Sequence, residues 1–230
     1  MKLSVVIPCY NEKNTILEII HRVLKTTFLD FEIIIVDDGS VDGTKEILTN
    51  EVLGKYKNIK VIFCEKNNGK GRALSKSVEH ISGEYVIIQD ADLEYNPKDY
   101  ENLVKPLLDN DADVVYGSRF VGDKPHRISM FWHYLANKIL TFISNMFTNL
   151  NLTDMEVGYK VFRSDIFKKL KIQEKSFGVE PEITAKIAKL KVRIYEVGIS
   201  YNGRSYEEGK KISIKDGFRA LYCILKYNLF

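Results

Sequence analysis

Three short runs dominated by apolar residues, 3–7, 31–36 and 85–89, each stop abruptly at polar or acidic side chains. Apolar residues without alternation mark strands buried on both faces, and such strands belong to parallel sheets covered by helices. Helical patterns lie between them. Residues 15–27 place Ile16, Ile19, Ile20, Val23 and Leu24 on one face, and Asn14 precedes them as a cap. A short helix is expected near 43–50 and a strand at 60–64. A further helix opens at 67–72 and is stopped by Ser82-Gly83, another starts at Asn96-Pro97, and a strand follows at 113–116. This βαβα order implies an α/β fold with a mostly parallel sheet between helical layers.

Sheets of this kind place ligands beyond the carboxyl ends of their strands. Tyr10-Asn11-Glu12, Asp37-Asp38 and the stretch from Asp90 to Glu94 follow the first, second and fourth strands. They are expected along one rim. The second half is less regular: a long aromatic-rich helix over 128–149, a strand at 158–162, a helix at 182–190, a strand at 192–200, a polar loop at 201–211 and a last helix at 214–227. No repeat or Pro/Gly-rich linker separates the halves, so one domain over 1–230 is expected.

Charge is divided unevenly. Residues 1–116 hold 14 Lys+Arg against 20 Asp+Glu, a net of −6, and residues 117–230 hold 20 against 11, a net of +9. An acidic half suits a cation, and a basic half suits phosphates or an anionic membrane surface. No concentrated basic stripe points to nucleic acid. Three widely spaced cysteines read as reduced, buried thiols, and four scattered histidines show no metal spacing. Without a signal-peptide pattern or an apolar stretch of ~20 residues, the chain is expected in the cytoplasm or peripheral on the membrane, without crossing it.

Asp90-Ala91-Asp92 sets two carboxylates two residues apart at a strand end, where they can offer hard oxygens to Mg²⁺ or Mn²⁺. Glu94 is a candidate for a further oxygen. The bland alternative is a solvated acidic loop. Asp37 and Asp38 can accept hydrogen bonds from a nucleobase N–H or a ribose hydroxyl; alternatively, they form a helix-capping turn. Asn67-Asn68-Gly69-Lys70-Gly71-Arg72 brings backbone N–H groups to a helix start where an anion can approach, or is an ordinary turn. It lacks P-loop spacing, and no GxGxxG follows the first strand, which argues against a dinucleotide-dependent dehydrogenase.

Taken in order, Val5-Val6-Ile7-Pro8-Cys9-Tyr10-Asn11-Glu12, Val36-Asp37-Asp38-Gly39-Ser40, Asn68-Gly69-Lys70-Gly71, Asp90-Ala91-Asp92 and Gly117-Ser118-Arg119-Phe120 resemble the family 2 glycosyltransferases of GT-A fold. The resemblance covers about the first 120 residues. Within the family the chain looks most like dolichyl- or polyprenyl-phosphate mannosyl- and glucosyltransferases. This implies a nucleotide-sugar-binding half over 1–117 and an acceptor-binding half over 118–230, with C-terminal helices lying on a membrane. Pro8, Tyr10, Glu12 and Asp38 are then expected to line the nucleotide pocket with Asp37, while Lys70, Asp90 and Ala91 adjoin the rest of the donor. Asp90, Asp92 and Glu94 would hold the metal, and Arg119 would approach a phosphate. Asp154, Gly158 and Tyr159 match a further family motif, although Val157 replaces its hydroxyl residue; Arg204 and Lys210-Lys211 match the C-terminal basic motif loosely.

The expected reaction moves a hexose from a nucleotide-diphospho-sugar donor, of GDP-mannose or UDP-glucose type, to a polyprenyl phosphate, with inversion as the resemblance implies. Asp92, Arg119 and Arg204 are the expected catalytic groups. A phosphate monoester is already anionic near neutral pH, its second pKa being ~6, so it needs cations and no base. Arg119, Arg127, Arg204, Lys210 and Lys211 are the candidates. Two alternatives stay open. One is transfer to a saccharide hydroxyl with Glu180 or Glu182 as base, against the plainer role of acids at a helix N-terminus. The other is a nucleotide-sugar binder without catalysis. The 128–149 segment is expected either in a membrane interface, with Trp132 and Tyr134 at the headgroups and Lys138 snorkelling, or packed against protein.

Overall fold

The computed structural model describes residues 1–26, 28–122, 124–128, 130–204, 207 and 214–230. Its centre is a seven-stranded sheet of β1 (Lys2–Cys9), β2 (Asp30–Asp37), β3 (Ile59–Phe63), β4 (Tyr85–Ile88), β5 (Val114–Ser118), β6 (Lys160–Arg163) and β7 (Ile194–Gly198). The strand order is β3-β2-β1-β4-β6-β5-β7. Only β6 runs against its neighbours; all the other paired strands are parallel. The apolar runs are the reason: Val5, Val6, Ile7 and Ile33 to Val36 are fully buried, with helices on the sheet faces.

The helices are α1 (Ile16–Leu24), α2 (Thr44–Ile47), α3 (Lys70–Ser77), α4 (Tyr100–Leu108), α5 (Phe131–Thr148), α6 (Ser164–Lys169), α7 (Val179–Leu190) and α8 (Ile214–Leu229). Helix α1 buries Ile16, Ile19, Ile20 and Val23, the face set by its spacing. Its first turn is not capped by Asn14. The N-cap is Thr15, and Glu12 O accepts from both Thr15 N and Ile16 N. Helix α6 went unread in the sequence because six residues carry too little periodicity. All three cysteines are buried thiols outside any disulfide.

The carboxyl ends of the six parallel strands share one rim. Because β6 is antiparallel, its beginning reaches the same rim between β4 and β5. The loop before β6 therefore comes up beside the residues after β4, which the sequence alone does not reveal.

Helix α5 meets the core through Leu140 and Ile143 together with polar side chains, and leaves most of its aromatic residues outside. Its buried residues are Thr141 and Ser144, while Phe131, Trp132, Phe142 and Met146 stand 64–73% exposed. Asn145 Nδ2 donates to Leu152 O and its Oδ1 accepts from Leu152 N, which explains why the polar side faces inward. Helix α8 packs on α5 and α7 and exposes Phe218, Tyr222, Leu225 and Leu229 in a helical stripe. Lys138 does not snorkel as expected: its ammonium donates to Thr153 O and lies over the Phe120 ring. No helix among the described residues is long and apolar enough to cross a membrane.

Candidate active site

Each acidic cluster ends a strand, and each is held by a partner from elsewhere. After β2, Asp37 is fully buried, and its carboxylate accepts from the Ser40 amide and hydroxyl. It builds the turn and does not face a nucleotide pocket as expected. Asp38 carries the other role. Its Oδ2 accepts from Asn68 N at 2.9 Å and Gly69 N at 2.5 Å, while its shielded Oδ1 has no hydrogen-bond partner. Burial raises the Asp38 pKa against those bonds. A carboxylate oxygen left without a donor is costly, and a ligand N–H would satisfy it.

The turn at Gly69 is tightly packed. A Cβ there would stand 1.9 Å from Lys175 O, and one at Gly71 would stand 1.9 Å from Glu174 O. This approach leads into α3 with Lys70 at its start, directed across the rim. Lys70 Nζ lies 2.8 Å from Asp90 Oδ1 and 2.9 Å from Glu180 Oε1. Burial alone would lower Lys70, but the two carboxylates outweigh it and raise its pKa.

Asp90 rests on Gly158, where a Cβ would stand 2.3 Å from Asp90 Oδ2. Gly158 N donates to Tyr95 Oη, and the Tyr95 and Tyr159 rings stack at 4.5 Å. Asp92 Oδ2 pairs with Arg204 at 2.7 Å. Burial, then the charges of Asp90 and Glu94, raise the Asp92 pKa well above the carboxylate range, with Arg204 opposing. Glu94, expected as a metal oxygen, has both carboxylate oxygens engaged: Oε1 by Arg204 and Oε2 by the Tyr201 hydroxyl.

The expected phosphate cations fare differently. Arg119 makes a two-pronged pair with buried Asp154, both contacts 2.6 Å, and its guanidinium lies over the Tyr201 and Phe120 rings. It is anchored, not free to follow a ligand. Arg127 donates to Gly203 O at the surface beside the Arg204 loop. Lys210 and Lys211 lie outside the described residues. Pro8 is half-buried, Tyr10 is 38% exposed at the rim, and Ala91 is buried. Glu12 accepts from the Thr15 hydroxyl at the mouth of α1.

The two candidate bases separate. Glu182 is fully buried and accepts from Gln173 N and Glu174 N at 2.7 Å each, with Lys186 alongside. It cannot reach a substrate, which corrects its assignment as base. Glu180 reaches the rim. Burial would raise its pKa, but Lys70 and Lys160 outweigh that and lower it.

Sequence reading did not single out Tyr201, Glu156 or Lys160. Tyr201 bonds Glu94 under the Arg119 guanidinium. Lys160 is 1% exposed in β6, and burial lowers its pKa. A signal existed: Glu156 and Lys160 interrupt an otherwise apolar 155–162, and buried charges require partners.

A parallel α/β sheet carrying this acidic rim defines a GT-A-type sugar-transferring enzyme. The chain belongs to glycosyl transferase family 2, whose model matches residues 4–171. It is 31% identical over 218 residues, 90% of this chain and 93% of the relative, to the uncharacterized protein MJ0544 of Methanocaldococcus jannaschii. It is 28% identical to the glycosyltransferase AglJ of Haloferax volcanii, over 98% of this chain and 73% of AglJ. Among solved structures, glucosyl-3-phosphoglycerate synthase of Mycobacterium tuberculosis superposes with a TM-score of 0.74 at 20% identity, over 100% of this chain and 80% of that one. That enzyme was solved with Mn²⁺, UDP and glucosyl-3-phosphoglycerate, and also with Mg²⁺ and UDP.

Proposed function

We propose that this glycosyltransferase moves a hexose from a nucleotide-diphosphate donor to a polyprenyl phosphate at a membrane surface, with a divalent cation at Asp90 and Asp92. The apolar outer face of helix α5 carries the acceptor side of the reading. Leu140 and Ile143 pack on the core, while Phe131, Trp132, Phe142 and Met146 form an exposed apolar surface of the kind that marks a contact with another molecule. A lipid surface supplies one, and the α8 stripe adds to the same apolar display.

The donor side rests on the rim. Asp90 and Asp92 offer hard carboxylate oxygens; burial first, and then the neighbouring charges of Asp90 and Glu94, raise the Asp92 pKa, and a cation would offset those charges. Among the described residues no three ligating side chains converge on a point. That suits Mg²⁺ or Mn²⁺, for which one or two carboxylates complete a shell with substrate phosphate and water. When bound, such a cation offsets charge developing on the departing diphosphate. In this reading Asp38 Oδ1, which lacks a partner in the chain, accepts a nucleobase N–H, and Lys70 meets phosphate oxygens. Arg204 bridges Asp92 and Glu94, so it stands at the cation site. The Mn²⁺ and UDP held by the mycobacterial enzyme support the same reading.

A phosphate acceptor needs no base, and the pKa of Glu180, which Lys70 and Lys160 lower against burial, makes it a weak proton acceptor. The hydroxyl-acceptor reading therefore rests on Glu180 alone. The test is thermal unfolding with UDP-glucose or GDP-mannose and Mn²⁺, followed by transfer to a polyprenyl phosphate in vesicles. A donor at a hundredfold excess over its Kd should raise Tm by about 5–10 °C. Asp92→Ala should abolish the part of the rise that Mn²⁺ adds. Wild-type enzyme that labels a soluble saccharide but no lipid phosphate would overturn the acceptor.

A further inference from the structure

The loop entering β6 carries a carboxylate that neither the fold nor the donor clamp employs. Glu156 Oε1 is shielded from water and has no hydrogen-bond partner, yet the residue as a whole keeps some exposure. Met155 and Val157 on either side are fully buried in the core. The charges facing Glu156 are Glu180, Lys160, Arg119 and Asp154. Glu156 is two residues from Asp154, which pairs with Arg119, and two from Gly158, which touches Asp90.

Its cationic neighbours are already engaged. Lys160 donates to Val157 O and lies over the Tyr116 ring. Arg119 grips Asp154 through both prongs. A shielded carboxylate oxygen without a donor is costly, so its persistence calls for a donor from outside the chain. The missing group is an O–H. Burial, then the charge of Glu180, raises the Glu156 pKa to about 8, and a hexose hydroxyl, neutral and able to donate or accept, suits a carboxyl group in either protonation state. Gly158, two residues on, touches the Asp90 carboxylate, which brings this loop beside the place where the donor diphosphate would sit.

We propose that Glu156 accepts hydrogen bonds from hydroxyls of the hexose carried by the donor, and so selects which hexose is transferred. The inference rests on the transferase reading above. Its test compares wild type with Glu156→Gln and Glu156→Ala by calorimetric titration of UDP, GDP, UDP-glucose, UDP-galactose and GDP-mannose in Mn²⁺. The glutamine variant keeps the shape of the side chain and guards against loss of folding.

UDP and GDP should bind all three proteins within about twofold, as expected for a group remote from the nucleotide. The preferred sugar nucleotide should weaken about tenfold in Glu156→Ala, the scale of one lost buried hydrogen bond. The wild-type preference between UDP-glucose and UDP-galactose should narrow. An unchanged ratio of sugar nucleotide to plain nucleotide affinity in both variants overturns the role of Glu156 alone, and so does equal weakening of both. A wild-type protein that binds none of the sugar nucleotides overturns the transferase reading itself.

Discussion

The two halves of the chain build the rim by different means. The first supplies acids on strand ends, Asp38, Asp90 and Asp92, and leaves some of their oxygens unsatisfied. The second supplies what holds them or meets them: Gly158 beneath Asp90, Arg204 on Asp92 and Glu180 on Lys70. The second half pairs several of its charges within itself, as Arg119 does with Asp154, with Glu156 the exception among its described, shielded carboxylates. The lesson is that motif residues here are held for a ligand, while their partners are held for the fold.

That contrast can be broken by mutation. Asp154→Ala leaves the buried Arg119 guanidinium unpaired and should cost about 3–5 kcal/mol in urea unfolding. Asp38→Asn should change stability by less than about 1 kcal/mol, since burial already opposes its charge, yet weaken nucleotide binding tenfold or more. Equal destabilisation by the two would erase the distinction.

Acid unfolding sharpens it next. Burial would raise Glu32, but bonds from Ser4, Ser82 and Lys60 outweigh that and hold it at about 2. Glu174 is likewise held at about 2 by Arg219, Lys226 and Tyr227 of α8. Both pKa values are depressed on folding, so the stability they confer is present above about pH 5 and is lost as pH falls toward 2. Glu32→Gln should remove about 3 kcal/mol of that dependence. Glu174→Gln should remove less, and less again in high salt, because Arg219 and Lys226 stand at the surface.

Smaller effects test the glycines. Gly158→Ala should cost about 1–3 kcal/mol and abolish the Mn²⁺-dependent rise in Tm. Gly217→Ala, in open space on α8, should stabilise by about 0.5–1 kcal/mol in the same measurement. A Gly158→Ala protein with normal donor binding would show that Asp90 does not need its seat.

Much of this was legible beforehand. The strand ends at Asp37, Asp38 and Asp90 could be read because acids after apolar runs stand out, and the parallel order placed them together. What escaped was pairing across the chain. Nothing local says that Asp154 meets Arg119 across 35 positions, or Lys70 meets Glu180 across 110. The sense of Asp37 was also hidden: the Ser40 hydroxyl turns it inward. In α5 the bulky residues left a membrane interface and a packed face equally open, because periodicity reports a stripe and not which side meets solvent.

The reversed strand β6 has one more consequence. It is wedged between β4 and β5, so a fragment ending at residue 117 would retain the Asp37-Asp38 and Asp90-Ala91-Asp92 motifs but have a gap in its sheet. Asp90 would also lose the bare peptide on which it stands. The donor-side motifs therefore do not sit on a self-contained sheet that ends before the second half begins. The two lengths of chain are interleaved like the fingers of clasped hands, and neither forms a grip alone.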